Sequence, residues 1–301
     1  MSLPDPAQAR PRPGVPDLRR SWRSGRSLFD AGMSTLVLVM SVIVAAPLIS
    51  VLWMVLVRGG TQFRPSLFWE LPPAAGMAGG GIGNAVVGTL LMVAIAAAIA
   101  IPLGVLAAVY IAEFSPDGPT AAAARFAAKI LTGMPAILAG VFAYTVVVKT
   151  TGEFSAWAGG FALSIIMVPI VMLTAADAIR SVPRKVREAA IGLGATPTEV
   201  AWLVVLPTAR PAILTGVMLA IARAAGETAP LLFTALFFDY WPHAPFMEPT
   251  ASLPVLIYNF SGVPYPEQIA MAWVAALVLV AIVLATNVIA QVILGSGEPQ
   301  R

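Results

Sequence analysis

The chain has 301 residues, of which 58% are hydrophobic and 11% charged, with a mean hydropathy of +0.86 and a formal net charge of +3. A soluble domain carries about 25% charged residues, so this chain cannot cover its own surface with polar groups, and its long apolar runs read as one membrane-embedded bundle. The absence of cysteine excludes disulfides and thiolate chemistry, and the single histidine, His243, sits in a Pro-rich loop that offers neither a metal site nor a Ser/His/Asp triad.

Taken in chain order, residues 1–33 hold six arginines (Arg10, Arg12, Arg19, Arg20, Arg23, Arg26) and little apolar periodicity, which predicts a disordered basic arm. Thr35 to Val57 is too long for the apolar core of a signal peptide, about 7 to 15 residues, and reads as an uncleaved first span. Five more spans are predicted at Asn84–Ala112, Leu131–Val148, Gly159–Ala176, Ala212–Phe238 and Ile269–Leu294, which places a six-helix domain at 34–294 and a short tail at 295–301. Prolines interrupt several of them (Pro47, Pro102, Pro135, Pro169, Pro230), as bundles tolerate when neighbours satisfy the freed carbonyls. Alanines and Gly104 crowd the second span, where backbones should approach closely.

Lys and Arg fall unevenly between the loops. With the N-terminus inside, 14 lie on the cytoplasmic side, Arg58, Arg64 and Lys149 lie outside, and Arg223 lies within a span. That bias predicts cytoplasmic termini and accounts for the basic balance without any nucleic-acid partner. On the outer side, Gly76 to Gly83 invites a phosphate-loop reading, but no Lys follows a Gly anywhere, so there is no Walker A sequence. The stretch 239–268 predicts a short interfacial helix near Ser252–Phe260, with Tyr258 and Trp241 at lipid headgroup depth.

The loop at 177–211 is not written as a flexible connection. Ser181 and Pro183 open a first short helix with Val186, Ala190 and Leu193 on one face and Arg184, Arg187 and Glu188 toward the other; Gly192 or Gly194 ends it. Thr196, Pro197 and Glu199 spell a capping box for a second, and Pro207 and Pro211 then separate it from span five. Glu188-Ala189-Ala190, Gly194, and then Val204 with Leu206-Pro207 resemble the EAA loop of binding-protein-dependent ABC importer permeases, Val204 standing where the pattern has Ile. The resemblance implies a type I, MetI-like permease fold and a cytoplasmic coupling helix, with Glu188, Ala189, Ala190, Gly194, Leu206 and Pro207 engaging a separate ATPase. ATP and Mg would then be bound by that partner, and this chain would hold no cofactor and no catalytic residue.

Arg223 lies 11 residues into the predicted fifth span, about 16 Å from its start at 1.5 Å per residue. A lone Arg near the bilayer centre costs roughly 2.5–3.5 kcal/mol on insertion scales, so Glu227, four residues on, is its natural partner. Two readings of the pair stand. It fixes an interface between permease subunits, or Arg223 offers a five-donor fork to a crossing oxyanion while Glu227 keeps that fork from trapping it.

The run Arg223-Ala224-Ala225-Gly226-Glu227-Thr228-Ala229-Pro230, continued to Ala235, resembles phosphate ABC importer permeases of the PstA type, as do 253–258, Ala272-Trp273, Gly80-Gly81-Ile82 and Gly88-Thr89. That resemblance implies a phosphate pathway at Arg223, Glu227 and Thr228 and a bacterial inner-membrane location. It also implies a heterodimer with a PstC-type permease, two PstB-type ATPase subunits and a periplasmic or lipid-anchored phosphate-binding protein. A permease for another oxyanion, a secondary anion transporter and a non-transporting membrane scaffold are the alternatives; a secondary transporter would not need the EAA loop and would more often show an internal repeat, which is not evident here.

Overall fold

The computed structural model describes residues 25–244 and 247–295, with side chains from 27 to 289 apart from the gap. Those residues form helices and connecting loops, five of the helices long and apolar enough to cross a membrane and a sixth crossing made by a bent pair. The long ones are α1 (Gly25–Gly60), α2 (Gly83–Phe114), α5 (Ala156–Ser181), α7 (Pro197–Ala225) and α10 (Pro266–Gly295). Between them lie the bent pair α3 (Pro119–Gly133) and α4 (Ala136–Thr151), and the short helices α6 (Arg184–Gly192), α8 (Ala229–Leu232) and α9 (Leu253–Ser261). The chain divides into two units, residues 1–53 and 54–301.

In the first unit, α1 begins at Gly25, so residues 25–33 are helical rather than part of a disordered arm. Once a span has nucleated, adding residues such as Leu28, Phe29 and Ala31 costs little. The rest of the arm, 1–24, and the tail 296–301 lie outside the described residues. The described side chains of α1 up to Trp53 are exposed or half-buried, and from Leu36 to Trp53 they are apolar apart from Ser41 and Ser50.

In the second unit, α2 and α5 pack along each other with α7 beside them, around Met92, Ala96, Ala100, Met167, Val171 and Val217. Glycine makes this closeness possible. A Cβ on Gly104 would stand 2.7 Å from Val171 Cγ1, and one on Gly160 would stand 2.5 Å from Ile95 Cγ2. A second cluster joins the start of α2 to α9 and α10 through Ile82, Ala85, Leu253, Leu256, Phe260, Val274 and Ala275. At its edge the last turn of α1 meets α10, with Arg58 5.1 Å above the Trp273 ring. The helix α9 starts on a Ser252 cap, as the sequence suggests, but Leu253, Pro254, Val255, Leu256 and Phe260 are buried in protein instead of lying in a lipid interface. Tyr258 alone keeps an exposed ring, and Trp241 packs on Gly83 at the start of α2.

Three predicted boundaries move. The third span is not a rod from Leu131 to Val148, because α3 and α4 meet at 103°. Met134 is extended there (φ −76°, ψ 139°), as a residue before proline must be, and Pro135 starts the next helix. The fifth span ends at Ala225, not Phe238, since Gly226 and Pro230 halt it.

Its start also moves. Pro207 and Pro211 do not separate the Thr196 helix from the span, which runs unbroken from Pro197 through a π-helical stretch at Val200–Val205. The wide π turn opens the backbone where the Pro207 ring would press on the Leu203 carbonyl.

Replacing Gly104 with Leu should therefore cost about 1–3 kcal/mol by forcing α2 from α5. Tryptophan-monitored unfolding in detergent checks this against Gly133→Leu, where nothing lies within 4 Å of the added carbon. Equal stabilities for the two variants would contradict the packing.

Candidate functional site

Two groups of residues carry chemistry. The first lies where two spans break. Arg223 is in the last turn of α7, and Gly226, Glu227 and Thr228 follow as non-helical chain. Although Arg223 ends its own helix, it is at mid-depth of the bundle, because α7 starts early. It shares one small hollow with Leu131, Thr132, Met134 and Ala136 at the α3–α4 bend and with Ile165, Ile166 and Ile170 halfway along α5. A second hollow of about 250 Å³ is also lined by Arg223, with Thr132, Ile170, Leu173, Thr174 and Leu219. The two discontinuities are thus neighbours. Nothing in the spacing of Pro135 and Pro230 announced this, although a proline in each apolar segment was the available signal.

The predicted pair forms, but loosely. Arg223 Nε stands 3.6 Å from Glu227 Oε1, beyond hydrogen-bond reach, and 49% of the Arg223 side chain is exposed. Among the described residues its guanidinium makes no hydrogen bond, so its planar set of donors is free for an anion. Thr228, five residues on at the break, is half-buried, and among the described residues its hydroxyl has no hydrogen-bond partner. The chain that follows α8 is irregular, and protein groups answer part of its backbone. Thr234 accepts from the Ser155 N–H at 3.0 Å, buried Asn84 donates to the Phe238 carbonyl at 2.7 Å, and Thr89 accepts from the Leu253 N–H at 2.8 Å. Irregular backbone at membrane depth is tolerated where protein covers it in this way. Gly140 on α4 completes the wall, since a Cβ there would lie 2.6 Å from Pro230 Cα.

The second group is the loop between α5 and α7. Pro183 precedes α6, and Gly194 closes it at φ +92°, a left-handed conformation that a side chain would strain. Thr196 Oγ1 then accepts from the Glu199 N–H at 3.3 Å, and Glu199 Oε2 accepts from the Thr196 N–H at 2.8 Å, so the expected capping box is present. Glu188, Ala189 and Gly194 are exposed and Ala190 is buried. Leu206 is half-buried within α7, and Pro207 beside it is exposed.

Two expectations about faces fail here. Leu193 is 91% exposed rather than on the buried face with Val186 and Ala190, because it is the C-cap and has left the helical period. Arg187 turns inward, its side chain 19% exposed, to Glu113 at the end of α2, a carboxylate that no local spacing singles out. With Ile191 also exposed, the tip of α6 presents an apolar, bonded-in-place surface.

Among the described residues no cluster of three or more His, Asp or Glu could hold a metal ion. A family model described as "Binding-protein-dependent transport system inner membrane component" matches residues 100–295, which takes in the α3–α4 bend, the α6 loop and the α7 break. The phosphate transport system permease protein PstA of Yersinia pestis is 40% identical over 246 residues, 82% of this chain and 83% of that protein. A Mycobacterium tuberculosis phosphate transport system permease protein, PstA 1, is 32% identical over 300 residues, 97% of each chain. Among solved structures, the methionine ABC transporter MetNI in an inward-facing conformation aligns with a TM-score of 0.55 at 19% identity, covering 73% of this chain and 95% of that one. At that identity the likeness speaks of the fold.

Proposed function

The chain belongs to the family of binding-protein-dependent transport system inner membrane components, and on that premise we propose that it is the permease half through which an ATP-driven importer passes inorganic phosphate. The observation that carries the cargo assignment is the similarity to phosphate permeases over most of the chain, including the broken stretch around Arg223. The geometry supports the same reading. A guanidinium fork at mid-depth, half exposed and held only by a 3.6 Å contact with Glu227, has donors to spare for a tetrahedral oxyanion. Glu227 offsets part of its charge, so the anion is held without being trapped. Thr228 supplies a further hydroxyl at the break.

Glu227 has a second task in this account. At neutral pH phosphate carries a hydroxyl proton and sulfate does not. A carboxylate beside the fork accepts a hydrogen bond from the first and is left unpaired against the second, which rejects sulfate at a second sieve after the binding protein.

Force enters at the other site. Glu188, Ala189, Ala190 and Gly194, with the exposed Ile191 and Leu193, form the surface that a cytoplasmic ATPase engages, while Leu206 and Pro207 lie on the helix that carries the motion to Arg223. ATP and Mg belong to that ATPase, present in two copies of the PstB type, and this chain performs no hydrolysis itself. A PstC-type permease completes the pathway, and a phosphate-binding protein delivers cargo from outside. The chain sits in the bacterial inner membrane with both termini cytoplasmic, a reading that the bias of its basic loops supports.

In proteoliposomes holding the assembled complex, Arg223→Ala should leave assembly intact and slow labelled-phosphate uptake about 30-fold or more, the equivalent of ~2 kcal/mol or more for a truncated charge contact. Uptake unchanged by this substitution would overturn the pathway. Glu227→Gln, with the binding protein bypassed, should narrow the phosphate-over-sulfate preference, and an unchanged preference would remove Glu227 as a sieve.

A further inference from the structure

A single guanidinium joins three elements at the loop end of the bundle. Arg187, on α6, donates from Nε to Glu113 Oε1 at 3.0 Å and from Nη2 to Glu113 Oε2 at 3.1 Å, a bidentate fork across 74 residues of sequence. The same side chain donates to the Ile179 carbonyl at 2.9 Å and to the Val182 carbonyl at 2.5 Å, the last carbonyls of α5 and its cap. Glu113 is 12% exposed and, among the described residues, bonds to nothing else. It belongs to the π-helical turn Tyr110–Phe114 that ends α2. Arg125 of α3 and Arg180 of α5 reach the Ile111 carbonyl in the same turn, at 3.0 and 3.5 Å.

We propose that Glu113 and Arg187 are positioning residues for transport, a rigid link through which a push on the tip of α6 moves α2 together with α5, and not α7 alone. The covalent path from α6 leads only to α5 and α7. Among the described residues the Arg187–Glu113 fork is the hydrogen-bonded link from that loop to α2, whose helix lines α5 along its length and whose start, through Asn84 and Thr89, holds the chain beyond the Arg223 break. Buried charge pairs with bidentate geometry hold direction as well as distance, so the link resists rotation of α6 against α2. Lysine cannot replace Arg187 here, since one ammonium cannot span both carboxylate oxygens and two carbonyls from the same plane.

The proposal rests on the importer reading, and one experiment separates the two. In the full complex reconstituted in vesicles, phosphate imported per ATP hydrolysed is measured for wild type, Glu113→Gln and Arg187→Lys. Both variants should assemble and hydrolyse ATP, while that ratio falls about fivefold or more, the scale of a typical coupling free energy between sites. A merely structural bond would lower uptake and hydrolysis together with the amount of complex and leave the ratio unchanged. An unchanged ratio in either assembled variant overturns the proposal, and so does failure of both to assemble, which makes the pair structural. A wild-type complex that moves no phosphate overturns the importer reading and this proposal with it, whereas a transporting wild type with an unaltered ratio in the variants overturns only the link.

Discussion

The core of a bilayer offers no hydrogen bonds, so any backbone that leaves the helix there must be answered by protein. Residues 134–135 and 226–228 both leave it, and they do so side by side, against the middle of α5. That placement governs much else. It requires Gly140 to admit Pro230, and it requires the chain after α8 to fold back onto Ser155, Asn84 and Thr89. It also leaves the Arg223 guanidinium at a boundary between helix and loop, where its donors are not consumed by its own helix. A straight α7 continuing to Phe238 would have placed Arg223 and Glu227 one turn apart on a regular surface, with far less freedom for either to meet an anion.

The loop end of the molecule is built on the opposite principle. There, several charges are paired and the turns are pinned: a capping box at Thr196, a left-handed Gly194, and Arg125 and Arg187 bound to the end of α2 and α5. The apolar tip of α6 stands out from this frame. A stiff elbow at one end and a loosely paired Arg at the other, joined by the unbroken helix from Pro197 to Ala225, is the arrangement that the proposed coupling calls for.

The sequence showed the long elements because hydropathy alone decides them. Residues 84–112, 159–176 and 269–294 fall inside observed helices, and the Thr196 cap was readable residue by residue. The effect of each proline was not legible in the same way. Pro135 bends its segment by a right angle, Pro230 helps end one, and Pro207 does neither, because a π turn accommodates it. Those outcomes depend on tertiary neighbours that no local window contains. Arg223 and Glu227 were legible as a pair through their i, i+4 spacing, but not the looseness of that pair. The Arg187–Glu113 fork was invisible, since a carboxylate 74 residues away carries no periodic signal and a charged helix face reads as solvated by default.

The most direct test of the central claim is a high-resolution map of the assembled complex trapped with phosphate during turnover. The account predicts tetrahedral density about 3 Å from the terminal guanidinium nitrogens of Arg223, with Glu227 and Thr228 at its edge. Ordered phosphate elsewhere in the pathway, with Arg223 bonded only to protein, would contradict it.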